Sequence, residues 1–284
     1  MTLDTPVAMF LFNRPQHTAR VFAEIAKAKP ATLLLIADGP RNQVEEEACL
    51  ASRKIVQDID WTCDVRRNFS DVNLGCRRRM SGGIDWVFSL CEQAILLEDD
   101  CIPHPTFFPY CAELLGRYQD NEQIMMISGD NMQLGRRCTP FSYYFSAIPH
   151  IWGWATWRRA WKQYDVHMRD WAAAQASDFP GDFVSPAAAH IHRKMMEDVH
   201  AGRIDTWDVQ WEYACWKRRG LSILPAVNLV TNIGYGVAAT HTRKRDAFAD
   251  LPSEAMKFPL LHPPAIERHS LADQAFFDAA IKAA

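Results

Sequence analysis

Apolar positions recur in two alternating patterns along the first half of the chain. Short unbroken apolar runs at Val7 to Phe12, Thr32 to Ala37, Ala94 to Leu97 and Ile124 to Ile127 predict strands buried on both faces. Between them, three sets of apolar residues recur at helical spacing: Val21, Phe22, Ile25, Ala28; Ile84, Val87, Phe88, Cys91; and Phe107, Cys111, Leu114, Leu115, Tyr118. They predict amphipathic helices. Gln43 to Gln57 is more polar and reads as a surface helix. Thr106 is the expected N-cap of the Phe107 helix, and Pro109 falls in its first turn, where proline is tolerated. Asn13-Arg14-Pro15, Asp38-Gly39-Pro40 and Asn73-Leu74-Gly75 punctuate the pattern as turns. Strands alternating with helices over residues 1–130 predict an α/β fold, a mostly parallel sheet flanked by helices.

The chain then changes character. From Trp152 to Trp216 it is aromatic and reads as helical, with Trp154, Trp157, Trp161 and Tyr164 near helical spacing, followed by a strand at Leu221 to Leu224. After His241, four prolines (252, 259, 263 and 264) predict an irregular tail that ends in a short amphipathic helix with Leu271, Phe276, Phe277 and Ile281. The expected organisation is one domain over 1–241, in two halves of 1–130 and 131–241, and a tail over 242–284.

Composition narrows the function classes. The 284 residues hold 31 Lys+Arg against 34 Asp+Glu, and 48% are hydrophobic, which excludes intrinsic disorder. No basic excess exists to release counterions from phosphates, so nucleic acid is not an expected partner. The longest apolar run, 31–37, falls far short of the roughly 20 residues that span a bilayer. Asp4 before the first apolar stretch and Arg14 after it have the wrong polarity for a signal peptide. Eight scattered cysteines without a Cys-x-x-Cys pair then read as reduced thiols, and the expected location is the cytoplasm, with peripheral contact to the inner face of the membrane left open.

Phosphate-loop, nucleophile-elbow and zinc-helix motifs are absent. Gly234 to Ala239 nominally fits a dinucleotide pattern, but no strand bearing an acidic residue follows as the ribose contact requires. His190 and His192 are two apart on a predicted helix and read as surface residues. Glu45-Glu46-Glu47 reads as a solvated helical face. Glu98-Asp99-Asp100 is different: it follows a buried strand directly and precedes a proline-rich turn. Loops at the carboxyl ends of parallel strands are where α/β folds bind ligands. Three carboxylates there repel one another unless a cation compensates, and hard oxygen donors suit Mg²⁺ or Mn²⁺ shared with phosphate oxygens.

Ile95 to Phe108, with its Glu-Asp-Asp triplet, resembles the variant acidic segment of GT-A fold glycosyltransferases, of the family 2-like and N-acetylglucosaminyltransferase I-like kinds. The resemblance spans Val7 to His241 and implies a GT-A type fold with a Rossmann-like sheet. It also implies a nucleotide-sugar-binding half over 1–130 and an acceptor-binding half over 131–241. Asp100 would be the ligand of Mn²⁺ or Mg²⁺, with Asp99 and Glu98 on the sugar nucleotide. Asn13 and Arg14 resemble the first nucleotide-binding loop. Asp38 resembles the acid that pairs with the base, or is an ordinary Asp-Gly turn. Asn73, Gly75 and Arg78, in the run Arg77-Arg78-Arg79, resemble the donor-side loop, where arginines either neutralise a diphosphate or form a solvated basic turn.

Eight of the ten tryptophans lie between Trp152 and Trp216, and most of these should be core. Gly153 between two large rings suggests a tight loop beside a ligand, and Trp152, Trp154 and Trp207 are the rings expected at the acceptor. Asp205-Thr-Trp-Asp208 opens a predicted helix, with Thr206 as its cap. Asp208 there either serves the helix dipole or, by the resemblance, is the catalytic base, with Asp205 as fallback. His241 resembles a second metal or diphosphate contact. The implied activity is metal-assisted inverting transfer of a sugar from a nucleotide-diphosphate donor to a glycan or lipid-linked glycan, in surface polysaccharide synthesis. A sugar nucleotidyltransferase or an inactive carbohydrate-binding protein are the alternatives.

Overall fold

The computed structural model describes residues 2–176, 186–235 and 246–283. Four strands make a parallel half-sheet in the order β3 (Asp64–Phe69), β2 (Thr32–Ala37), β1 (Val7–Leu11), β4 (Gln93–Glu98). Successive residues of a strand point to opposite faces. In β1, Val7, Met9 and Leu11 join Val21, Phe22 and Ile25 of helix α1 (Pro15–Ala28) in one core. Ala8 and Phe10 face the other way, onto Met80, Ile84, Val87 and Phe88 of α3 (Gly75–Leu90). Helix α2 (Gln43–Ile55) covers α1 and keeps most of its surface in water. Burial on both faces is why these strands read as unbroken apolar runs.

The sheet continues past β4 as β8 (Trp154–Trp157), β6 (Ile124–Ser128), β9 (Leu221–Pro225) and β7 (Tyr143–Ser146), giving eight strands. β8 runs antiparallel to both β4 and β6, and β6 is parallel to β9. The carboxyl end of β6 therefore lies on the same edge of the sheet as that of β4. Helix α4 (Phe107–Arg117) packs beneath the sheet on the α1 side. A two-stranded ribbon of β5 (Cys101–Pro103) and β10 (Val230–Asn232) closes the edge above β4. The remaining helices are α5 (Arg158–Trp161), α6 (Trp171–Ala176), α7 (Pro186–His200), α8 (Asp208–Lys217) and α9 (Ser270–Ala283).

One strand was not anticipated, and two expectations change. β3 carries no apolar run because it is the outer strand, and Asp64, Arg66 and Arg67 leave its free side charged. The tryptophans at 154 and 157 lie on a strand, not a helix. Trp154 faces the α3 core and Trp157 the α1 core, while both neighbours supply backbone partners. Thr106 does not cap α4 with its side chain; its hydroxyl bonds His104 Nδ1 at 2.8 Å and accepts from the Met256 N–H at 2.9 Å.

The described part of the tail is irregular up to α9 and packs on this domain. Met256 and Leu260 enter the main core, and buried Asp273 accepts from Ser146 Oγ (2.6 Å), the Ala147 N–H (3.2 Å) and Arg268 Nε (2.6 Å). All eight cysteines are free thiols. Among the described residues no helix is long and apolar enough to cross a membrane.

The adjacent glycines of α3 give a sharp test of the layer packing. A β-carbon at Gly83 would stand 2.6 Å from Phe10 and 2.9 Å from Ile36, whereas nothing lies within 4 Å of one at Gly82. Gly83→Ala should lower stability by about 1–3 kcal/mol in urea unfolding. Gly82→Ala should raise it by about 0.5–1 kcal/mol through helix propensity.

Candidate functional site

A cleft of about 800 Å³ opens at the carboxyl ends of β1, β2 and β4. One wall is the acidic triplet. Glu98 is the last residue of β4, and Asp99-Asp100 form the step into β5. Asp99, 2% exposed, accepts from the Phe12 N–H at 3.2 Å and from the Arg14 guanidinium, which reaches Asp100 Oδ2 at 2.9 Å with its other nitrogen. The Asp100 carbonyl accepts from the Ile233 N–H at 2.9 Å, and a β-carbon at Gly234 would overlap the Asp100 carboxylate. Glycine there lets the chain after β10 close over the triplet.

Burial raises the Glu98 carboxyl well above the ordinary range, and the charges of Asp100, Asp99 and Asp208 add to it against Arg14. Asp99 is raised by burial and by Asp100, again opposed by Arg14. Among the described residues, Arg14 is the cation that meets Asp99 and Asp100, and its charge also opposes the rise at Glu98. Among the described residues no group of three His, Cys, Asp or Glu side chains forms a metal cage. A hard cation that keeps waters and shares a ligand's oxygens needs only one or two carboxylates. Asp100 fits that demand: it lines the cleft, and among the described residues its Oδ1 is met by the Cys101 thiol alone, at 3.5 Å.

The second wall joins the loops after β2 and β3. Asp38 is buried there and accepts from the N–H groups of Gly39 and Leu74, both at 2.9 Å, and from Asn73 Nδ2 at 3.0 Å. Burial raises its pKa against these bonds. Asp38 and Asn73 line the cleft while stapling the two loops together. Asn13 donates to Glu45 Oε1 at 3.2 Å, and Arg41, bound to Glu45, lies over the Phe12 ring at 5.4 Å. Glu45, expected to be solvated, therefore ties the first loop to α2.

The three consecutive arginines diverge because a helix turns about 100° per residue. Arg77 donates to the carbonyls of Val199 (3.1 Å), Ile204 and Thr206 (3.3 Å). Arg79 lines the cleft and donates to the carbonyl and side chain of Asn68. Arg78 is exposed and is not among the lining residues. Arg77 therefore holds the chain between α7 and α8 against α3. That segment is the third wall: Asp205, Thr206, Trp207 and Asp208 all line the cleft, and Asp205 Oδ2 abuts Gly75, whose φ of +79° favours glycine. Asp208 is the first residue of α8. Its Oδ1 accepts from Thr206 Oγ1 and from the Val209 N–H at 3.0 Å, so Thr206 braces Asp208 and makes no cap bond of its own.

Of the three tryptophans expected at an acceptor, Trp152 and Trp207 line the cleft. Trp152 meets Tyr235 edge-on, with centroids 5.8 Å apart. Trp154 is buried behind the cleft and stacks on Trp207 at 5.7 Å. Gly153 between them has φ +66°, and Val230 would stand 2.8 Å from a β-carbon there. His150, two residues before Trp152, is buried against Asp130 at 2.7 Å. His190 is exposed, but His192 is mostly buried, 3.0 Å from Glu212 and edge-on to Trp216. His241 lies outside the described residues. Sequence reading missed Phe12, Arg41, Asn232 and Gly234, which line or frame the cleft without belonging to a charged cluster.

No protein-family model and no curated protein matches the sequence. Among solved structures, the chain is similar to a UDP-glucose pyrophosphorylase complexed with UDP-glucose (10% identity, TM-score 0.28), covering 51% of this chain and 64% of that one. It is also similar to mouse xyloside xylosyltransferase 1 in its apo form (11% identity, TM-score 0.32), covering 74% of this chain and 81% of that one.

Two predictions follow from how α7 and the third wall are held. Arg77→Met removes the donor common to three carbonyls, of which Val199 and Thr206 keep the Gly202 N–H and Gln210 Nε2, and should cost about 1–3 kcal/mol in urea unfolding, partly restored in Arg77→Lys. For His192, burial opposes the charged imidazole, but the charge and hydrogen bond of Glu212 outweigh it and raise the pKa. That stability is fully present below the ordinary histidine pKa of about 6.5 and is lost as pH rises through the higher folded value. A thermal melt series across this range should show the melting temperature falling with pH, and Glu212→Gln should flatten the step.

Proposed function

We propose that the chain is a metal-assisted inverting glycosyltransferase of GT-A type. It would move a sugar from a nucleotide-diphosphate donor to a hydroxyl of a glycan or glycoconjugate, in surface polysaccharide synthesis on the cytoplasmic side of the membrane. The observation that carries this reading is the convergence of the crowded acidic triplet and Asp208 on one cleft at the carboxyl edge of a parallel sheet, close enough for the charges of Glu98 and Asp208 to act on each other.

In this reading Asp100 holds Mn²⁺ or Mg²⁺, and a bound cation supplies charge that stabilises the departing diphosphate. Asn13, Arg14, Asp38, Asn73, Gly75, Glu98 and Asp99 surround the donor, with Asp38 and Asn73 acting mainly as a loop staple. The acceptor oxygen forms a bond to the anomeric carbon from the face opposite the diphosphate. The carbon–phosphate oxygen bond breaks, its electron pair leaves with the diphosphate, and the acceptor proton passes to the Asp208 carboxylate. Trp152 and Trp207 offer ring surface to the acceptor sugar, and Trp154 backs Trp207. His241 remains a proposed second contact to the metal or diphosphate.

The test is a panel of UDP-, GDP-, dTDP- and CMP-sugars with and without Mn²⁺. Asp208→Asn should keep donor affinity and lose about 10²–10⁴-fold in transfer. Asp100→Ala should lose turnover and its response to Mn²⁺ while remaining folded. Full activity in either variant removes that residue from the mechanism. Pyrophosphate release from a nucleoside triphosphate and a sugar phosphate would instead identify a nucleotidyltransferase.

A further inference from the structure

Of the buried side-chain atoms that lack a partner among the described residues, Asp130 Oδ2 and His150 Nε2 belong to one pair. His150 Nδ1 donates to Asp130 Oδ1 at 2.7 Å, and both side chains are 2% exposed. Ser128 Oγ donates to the same carboxylate oxygen at 3.2 Å. One oxygen of Asp130 is thus met twice and the other is bare. A buried polar atom without a partner is costly, and apolar residues of similar volume are often as stable as a buried ion pair. Packing alone gives these two positions no reason to be polar.

What the pair holds is the loop that carries Trp152 into the cleft. Asp130 lies two residues past Ser128, the last residue of β6, and His150 two residues before Trp152. On the other side of Trp152, the Gly153 carbonyl accepts from the Gly129 N–H at 2.7 Å. Neighbouring residues, Gly129 and Asp130, therefore grip the chain on both sides of one ring. The grip is close: a β-carbon at Gly129 would stand 2.8 Å from the Gly153 carbonyl oxygen. Burial raises the Tyr235 phenol, and the charges of Asp246 and then Asp130 add to it, so the pair also stands near the ring that Trp152 meets edge-on. The tail packs on the same loop. The Phe276 ring of α9 lies 4.7 Å from His150, and Ile148 clusters with Phe277 and Phe276.

We propose that Asp130 and His150 are positioning residues for Trp152, and that α9 completes the acceptor side of the cleft by packing on His150. A ring that offers its face to a sugar must be held in place before the sugar arrives. A buried hydrogen-bonded pair fixes direction as well as distance, whereas apolar contact alone lets a loop slide. The acceptor role of Trp152 rests on the glycosyltransferase reading; the hold on its loop does not.

Hydroxyl-radical footprinting of the full chain, read by mass spectrometry, tests the hold without any donor. The joint variant Asp130→Val/His150→Leu removes both bare atoms and should keep the parent's urea midpoint. Oxidation of Trp152 should nevertheless rise by about threefold or more, with Trp207 unchanged. Phe276→Leu, which only loosens the cover on His150, should move Trp152 the same way by a smaller factor, and it carries the test if the joint variant does not fold. Parent-like labelling of Trp152 overturns the proposal, and so does an equal rise at Trp207, which marks general loosening. A second arm uses the donor found in the nucleotide-sugar panel with methyl glycosides as acceptors. The acceptor KM should rise by about fivefold or more while the donor KM stays put. An unchanged acceptor KM, or an equal rise in both, overturns the acceptor role. Footprinting as expected, with no transfer by the parent from any nucleotide sugar, overturns the glycosyltransferase reading and leaves the hold on Trp152 standing.

Discussion

The carboxylates crowded at the end of β4 outnumber the cations that meet them among the described residues, and the rest of the cleft is arranged around that imbalance. Three carboxylates stand in a row at the end of a buried strand, and one arginine meets two of them. Desolvation makes their mutual repulsion strong, because little water remains to screen it. The protein answers with the Arg14 fork and the Phe12 amide on the carboxylates, while the chain after β10, which needs glycine to pass so close, bonds the Asp100 backbone carbonyl through the Ile233 N–H. Glu98 and Asp99 are still held above the ordinary carboxylate range, by burial first and with the charge of Asp100 adding to it.

The second constraint is mechanical. Asp205 to Asp208 belong to a segment more than a hundred residues from the triplet, and they stay beside it through one helix, α3. Gly75 at the start of α3 lets Asp205 approach, Arg77 gathers the carbonyls of the segment, and Gly83 lets the same helix press onto Phe10 and Ile36. Positioning of Asp208 and packing of the parallel strands are thus one structural problem. Stacking of Trp207 on Trp154 closes it from the side of β8.

Much of this was legible in the chain. β1, β2, β4, β6 and β9 announced themselves because strands covered on both faces must be apolar throughout, and α1, α3 and α4 because each buries one stripe. The triplet was legible as a charge concentration because it follows a buried strand directly, whereas its bracing of the first loop through the Phe12 N–H and Arg14 was not. β3 was not, since an edge strand needs no apolar run. β8 was not, since aromatic residues three apart fit a helix stripe as well as two faces of a strand, and only the partners β4 and β6 decide between them.

By itself, the sequence determined the α/β layering, the parallel strands and the place where charge would concentrate, because burial periodicity and local charge are properties of neighbours along the chain. Tertiary structure alone decided what each charged or aromatic side chain does. Of three consecutive arginines, one gathers carbonyls, one meets solvent and one enters the cleft. Of three expected tryptophans, one is core. Glu45 and His192 gained partners that no spacing announces. The physical reason is that hydrogen bonds and ion pairs are satisfied across folds of the chain, at distances in sequence that local pattern does not encode.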